Sequence, residues 1–266
     1  MEELLYAVLL KNPADFQLGR VARARAAARE EPEHDLVAST RKGWGVLAEE
    51  LSREQADLLA FQLSTSGLPA LAAPQNLIET PPGASPISGM RLESSGLRAS
   101  PESVFSGILP WSALDLVCAV ALRRPLARRP GLNVPTLGQK ISQYALMFIT
   151  GLPLPLRPRP PKEPPPATYE PAFFVDLAWS APRIRLRIDC HAFDYSCLKT
   201  RMGYESLGNL RRLLADLRTR APRALLNAGA DALLEGRTLA GLGHDSLEDL
   251  DRECRWLLTL RSLKLA

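Results

Sequence analysis

The stretch RIRLRIDC, residues 183–190, alternates between basic and apolar side chains, and a repeat of two is that of a β-strand. No other feature limits the fold so sharply, because such a strand has one face for a core and one face of charge. Arg183, Arg185 and Arg187 fall on one side with Asp189 and His191, while Ile184, Leu186, Ile188 and Cys190 fall on the other. Cys190 then reads as a small buried hydrophobe pointing away from His191. A zinc site needs ligands converging at about 2.0–2.3 Å, usually with CxxC or HxxxH spacing. Cys190, His191 and Cys197 have neither spacing, so no metal or cofactor is expected. The three guanidinium groups, at intervals of about 6.5–7 Å, can hold phosphate, acidic peptide or acidic lipid headgroups. The plainer reading is a solvated sheet face whose arginines pair with acids on a neighbouring strand, such as Asp176.

A chain of 266 residues can bury one large core or two smaller ones. Its net charge of +4 is too small to imply a nucleic-acid partner, so any electrostatic argument must be local. Cys118, Cys190, Cys197 and Cys254 are scattered and read as reduced thiols. The start, MEELLYAVLLKNP, carries acids where a secretory signal has positive charge. The longest apolar runs, SALDLVCAVAL and YALMFITGLPLPL, are short for a membrane span. A cytoplasmic protein is expected.

Along the first 75 residues the expected order is strand, helix, helix, strand, helix, strand. ELLYAVLL reads as a buried strand, LGRVARARAAAR as a helix flanked by Arg20, Arg23, Arg25 and Arg29, and HDLVAS as a second helix. GWGVLAEEL is a strand entered through glycines, and LPALAAP another. Between them SREQADLLAFQLSTSG is the best-marked helix: Ser52 at the cap, Gln55 at the capping-box position, Ala56, Leu59, Ala60 and Leu63 on one face, Gly67 at the stop. This order, with DLVAS and LAEELSREQADLLAFQLSTSGLPA in it, resembles the C-terminal domain of the bacterial ribosomal stalk protein. In that family the loop between the first two helices is rich in glycine and lysine and contacts translation factors. Here AAAREEPEHDL has neither residue, so the resemblance implies the fold and not that role.

NLIETPPGASP, within 76–86, is a linker by composition. Short strand-like runs follow: GMRLESSGLRA, FSGILPW, LDLVCAVALR, PAFFVDLAW and RIRLRID, with SSG and WSAP as turns. They end in an amphipathic helix from about Ser206 to Arg220, with Leu207, Leu210, Leu213, Leu214 and Leu217 on one face. Strands closed by one helix, with ILPWSALDLV as a strand pair, resemble pleckstrin-homology-like domains over 87–220. An insertion at 153–166, PLPLRPRPPKEPPP, has eight prolines in fourteen residues and reads as an extended spacer or a ligand for a proline-recognising groove. The remainder, 221–266, is a helical extension. Its better helix, SLEDLDRECRWLLTL, has Ser246 at the cap, Asp249 at the box position, and a stripe of Leu247, Leu250, Cys254, Leu257 and Leu258 that must cover a surface of this chain or a partner.

The expected class is therefore α+β. No catalytic motif is present: His34, His191 and His244 lie in separate segments, the pairs Glu30-Glu31 and Glu49-Glu50 read as solvated charge, and there is neither a nucleophile elbow nor a glycine-rich phosphate loop. The leading expectation is a non-enzymatic bacterial adaptor that binds a protein partner. Arg183, Arg185 and Arg187, with Arg20, Arg23, Arg25 and Arg29, are its candidate partner- or anion-binding residues. Peripheral binding to anionic lipid through the arginine stripe is the second expectation. An enzyme of unknown class, with His191 or Cys197 gathered into a pocket with distant acids, is the third. Partner identity and oligomeric state are not encoded in any motif.

Overall fold

The computed structural model describes residues 4–29, 33–125, 169–239 and 243–265, and the chain is α+β. The proline-rich segment 153–166 lies outside the described residues. The described residues up to Arg123 and from Pro171 onward belong to one compact unit.

The N-terminal elements follow the expected order: β1 (Tyr6–Leu10), α1 (Leu18–Arg29), α2 (Glu33–Gly43), β2 (Val46–Leu51), α3 (Arg53–Thr65) and β3 (Ala70–Pro74). The sheet order is β2-β1-β3, with β1 antiparallel to both neighbours. Helix α3 starts where the sequence places it. Ser52 Oγ accepts from Gln55 N at 3.3 Å and Ser52 N donates to Gln55 Oε1 at 3.1 Å, a complete capping box. Ala56, Leu59, Ala60 and Leu63 are its buried residues. Ala7, Val8, Leu9 and Leu10 are all fully buried, so both faces of β1 are covered, because neighbouring strand residues point to opposite sides.

From Ser85 the chain is mostly strand: β4 (Ser85–Ile87), β5 (Gly89–Leu92), β6 (Gly96–Ser100), β7 (Leu109–Pro110), β8 (Leu114–Pro125), β9 (Tyr169–Trp179) and β10 (Ile184–Asp189). After β10 come α4 (Ser206–Arg220), β11 (Leu225–Leu226), α5 (Ala228–Leu234) and α6 (Leu247–Ser262). Strands β5-β6-β7 form an antiparallel sheet, and the larger sheet runs β11-β8-β9-β10-β4. Its two outer pairings, β11 on β8 and β4 on β10, are parallel.

Alternate residues of the long sheet serve two different cores. Val117 and Ala119 of β8, Val175, Leu177 and Trp179 of β9, and Leu186 and Ile188 of β10 face one core, which Leu210, Leu213, Leu214 and Leu217 of α4 complete. Leu116, Cys118 and Val120 of β8 and Ala178 of β9 turn to the other core. There they meet Leu250, Cys254, Trp256, Leu257 and Leu260 of α6, together with β1, α1 and α3. This two-sided burial explains why LDLVCAVAL reads as a continuous apolar run instead of an alternation.

Helix α6 thus packs on elements from both ends of the sequence. Trp256 Nε1 donates to Leu10 O at 2.9 Å, and the indole lies so close to Gly45 that a Cβ there would come within 1.9 Å of it. The segment after β3 is strapped to the same helix: Glu79 N donates to Thr259 Oγ1 at 2.9 Å and Arg255 Nε donates to Glu79 O at 3.3 Å. Asn227, at the cap of α5, completes the tie. Its Oδ1 accepts from Ala119 N and Ala230 N at 2.8 and 2.9 Å, and its Nδ2 donates to Ala119 O at 3.1 Å and Glu253 Oε2 at 2.7 Å.

Candidate anion-binding groove

The periodicity of RIRLRID holds, with β10 spanning Ile184–Asp189 and its apolar residues in a core, but the opposite face is not solvated. Helix α6 covers it. Arg185 is 2% exposed, and Arg187 retains 14% of its side-chain surface. Both converge on Asp176 of β9, which sits directly opposite Arg187 in the antiparallel register and is 1% exposed. Arg185 Nε donates to Asp176 Oδ2 at 2.8 Å, and its Nη2 donates to Asp176 and to Asp251 of α6. Arg187 donates from Nε to Asp176 Oδ1 at 2.7 Å, and from Nη2 to Asp176 Oδ2 at 2.7 Å and Asp251 Oδ1 at 2.8 Å. Two guanidinium charges thus meet two carboxylate charges. Burial opposes the charge on Arg185, yet neighbouring groups, Asp176 and Asp251 among them, raise its pKa above the ordinary value.

The expected anion stripe is corrected accordingly: Arg185 and Arg187 are internal counter-charges that dock α6. Arg183 lies just before the strand, is exposed, and donates through Nη2 to Thr80 O. Of the α1 arginines, Arg20 donates to Gly67 O at 2.7 Å and stands 3.7 Å from Asp15. Arg23 is exposed. Arg25 is 4% exposed and donates to Thr40 Oγ1 at 2.8 Å, so it too faces inward. The side chain of Arg29 lies outside the described residues.

The remaining chemistry-bearing residues of 189–197 do not converge. Cys190 is fully buried in the core beneath the sheet, and His191 is exposed on a turn where its backbone N donates to Asp189 Oδ1 at 3.1 Å. Burial, with help from Asp194 and Asp216, pushes the Cys197 thiol up to about 11, which is the wrong direction for a nucleophile. Among the described residues no group of three His, Cys, Asp or Glu side chains could hold a metal ion, and no helix is long and apolar enough to cross a membrane.

A concave site of about 370 Å³ lies elsewhere, lined by Ser94, Ser95, Trp111, Ser112, Arg220 and Arg223, with Ala221 and Pro222 between the two arginines. Three separate segments build it. The turn between β5 and β6 supplies the first two serines, the entry to β8 supplies Trp111 and Ser112, the last residue of α4 is Arg220, and the turn after it carries Arg223. Trp111 is 6% exposed and held rigidly: its Nε1 donates to Glu93 O at 3.0 Å and its backbone N donates to Ser95 O at 3.2 Å. Arg220 lies over the indole, with Cζ 5.7 Å from the ring centroid, and its Nη1 donates to the same Glu93 O at 3.2 Å. The Glu93 carboxylate is engaged by Arg98 Nε at 3.1 Å. Among the described residues neither Arg220 nor Arg223 has a carboxylate partner, and the hydroxyls of Ser94, Ser95 and Ser112 make no hydrogen bond.

Sequence reasoning missed this groove. The SSG turn and the helix over 206–220 are both found where the sequence places them, but no spacing links residues 94, 111 and 220. The nearest signal was a tryptophan at the mouth of a strand with arginines closing an amphipathic helix.

Compared with known proteins, the chain matches no family model, no curated protein and no solved structure.

Proposed function

We propose that the protein is a cytosolic, non-enzymatic bacterial interaction protein, combining a stalk-protein-like N-terminal region with a pleckstrin-homology-like sheet and helix. It binds an acidic segment of a protein partner in the groove between the β5–β6 turn, Trp111 and the end of α4. One observation carries the reading. The arginines of β10 are neutralised inside the fold, whereas Arg220 and Arg223 face a concavity with no carboxylate partner among the described residues. Unspent guanidinium donors beside free hydroxyls and a fixed indole are the ingredients of carboxylate and phosphate recognition.

A peptide array of acidic, neutral and basic sequences, probed with the full chain at low and physiological salt, tests this. Acidic peptides are expected to bind, to weaken as salt rises, and to be lost with the Arg220→Ala/Arg223→Ala double variant. Binding that ignores peptide charge, or that survives in the double variant, rejects the groove as the site.

A further inference from the structure

We infer that the group this groove recognises is a phosphomonoester carried on a partner peptide, and not a side-chain carboxylate. The inference rests on the groove taking an acidic segment, and it names the anion. The site holds two guanidinium charges without a carboxylate partner among the described residues, and Glu93, the acid at its edge, is engaged by Arg98. A carboxylate brings one negative charge and two oxygens, leaving one arginine uncompensated. A phosphomonoester brings about −1.5 to −2 charge at pH 7 and three acceptor oxygens.

The donor inventory points the same way. Arg220 spends one N–H on Glu93 O and keeps four, since a guanidinium has five. Arg223 makes no side-chain hydrogen bond among the described residues, and Ser94, Ser95 and Ser112 add three hydroxyl donors, more than two carboxylate oxygens can accept. Arg220 is also pre-positioned: Glu93 O fixes one edge of its guanidinium and the Trp111 ring lies beneath it at 5.7 Å. Little side-chain entropy is therefore lost when an anion arrives. The C-terminal dipole of α4 opposes an anion, but with roughly half a unit charge against two full ones. At about 370 Å³ the concavity suits one modified side chain and its neighbours.

Three peptides identical except for a central phosphoserine, glutamate or serine, titrated calorimetrically into the full chain, test the inference. The phosphoserine peptide is expected to bind at least about tenfold more tightly than the glutamate peptide, and Arg223→Ala to cost about tenfold or more, the range of a charge-assisted hydrogen bond. Among the described residues Arg223 makes no hydrogen bond or ion pair that its removal would break, and Ser112→Ala, at an exposed position, gives a second and smaller loss. The charged groups facing the site are Arg220, Arg223 and, through its pair with Arg98, Glu93, and none is a histidine. A fall from pH 7.5 to 5.5 should therefore weaken the phosphoserine peptide alone, by about fourfold, as the dianion is lost through a second phosphate pKa near 6.

Equal affinity for the phosphoserine and glutamate peptides overturns this inference and leaves the acidic-segment reading standing. No binding by either overturns both. Vesicles carrying a phosphorylated inositol lipid, used as a parallel probe, overturn it if they bind while the phosphoserine peptide does not.

Discussion

The two arginine pairs of this protein, Arg185 with Arg187 and Arg220 with Arg223, have the same chemistry and opposite fates. The first pair is closed in by Asp176 and Asp251 beneath α6, so its charge does structural work and none is left for a ligand. The second stands at a concavity beside a fixed indole and three hydroxyls that have no hydrogen-bond partner among the described residues. What separates them is not side-chain direction, which alternation fixes for the strand, but what the rest of the chain lays over each face. A positive stripe in a sequence is therefore a statement about a surface only after the last helix has been placed.

The largest expected effect comes from breaking the closed pair at its centre. Asp176→Ala leaves two guanidinium groups with only Asp251 between them in a largely buried site, and should lower the unfolding free energy by about 3–5 kcal/mol in urea titration. Asp251→Asn touches the same cluster from its wet side. Its side chain is 49% exposed, so the expected loss is under about 1 kcal/mol, and a loss as large as that of Asp176→Ala would break the distinction between core and rim.

Glu49 offers an intermediate case. It accepts from Arg255 Nη1 and Nη2 of α6 at 2.8 and 2.6 Å, and these bonds hold its pKa below the ordinary 4.5 against the opposing effect of burial. A carboxyl depressed in the folded state contributes stability that is present above its unfolded pKa and lost as pH falls through the folded one. Thermal scans should therefore show a decline in Tm below about pH 4.5 that is smaller in Glu49→Gln. The smallest stability effect belongs to the open pair: Arg223→Ala should move the unfolding free energy by no more than about 0.5 kcal/mol. A large destabilisation there would mean that the groove arginine is structural after all.

The sequence was most informative where one local rule decides the outcome. The Ser52–Gln55 capping box, the apolar face of α3 and the alternation of β10 each depend on neighbours within a few residues, and each is found in place. It was least informative for α6, whose stripe of Leu250, Cys254, Leu257 and Leu258 is only part of what it buries. Asp249, Glu253 and Thr259 are also buried, although their polarity reads as an outer face. Each has a partner outside the helix: Thr259 accepts from Glu79 N, Glu253 meets Asn227 and His244, and Asp249 accepts from Asp245 N. Buried polar groups become affordable only through such partners, and local pattern does not reveal them. The groove escaped for the same reason, being a meeting of three segments that no spacing connects.

The bond from Trp256 to the carbonyl of Leu10 spans 246 residues, and it has a consequence for synthesis. Strand β1 is made well before its cover, so at about 5–20 residues per second its apolar side chains wait on the order of 10–50 s on a growing nascent chain. During that interval they are a natural client for a holdase, and folding of this region is expected to be slow, paced by the arrival of α6.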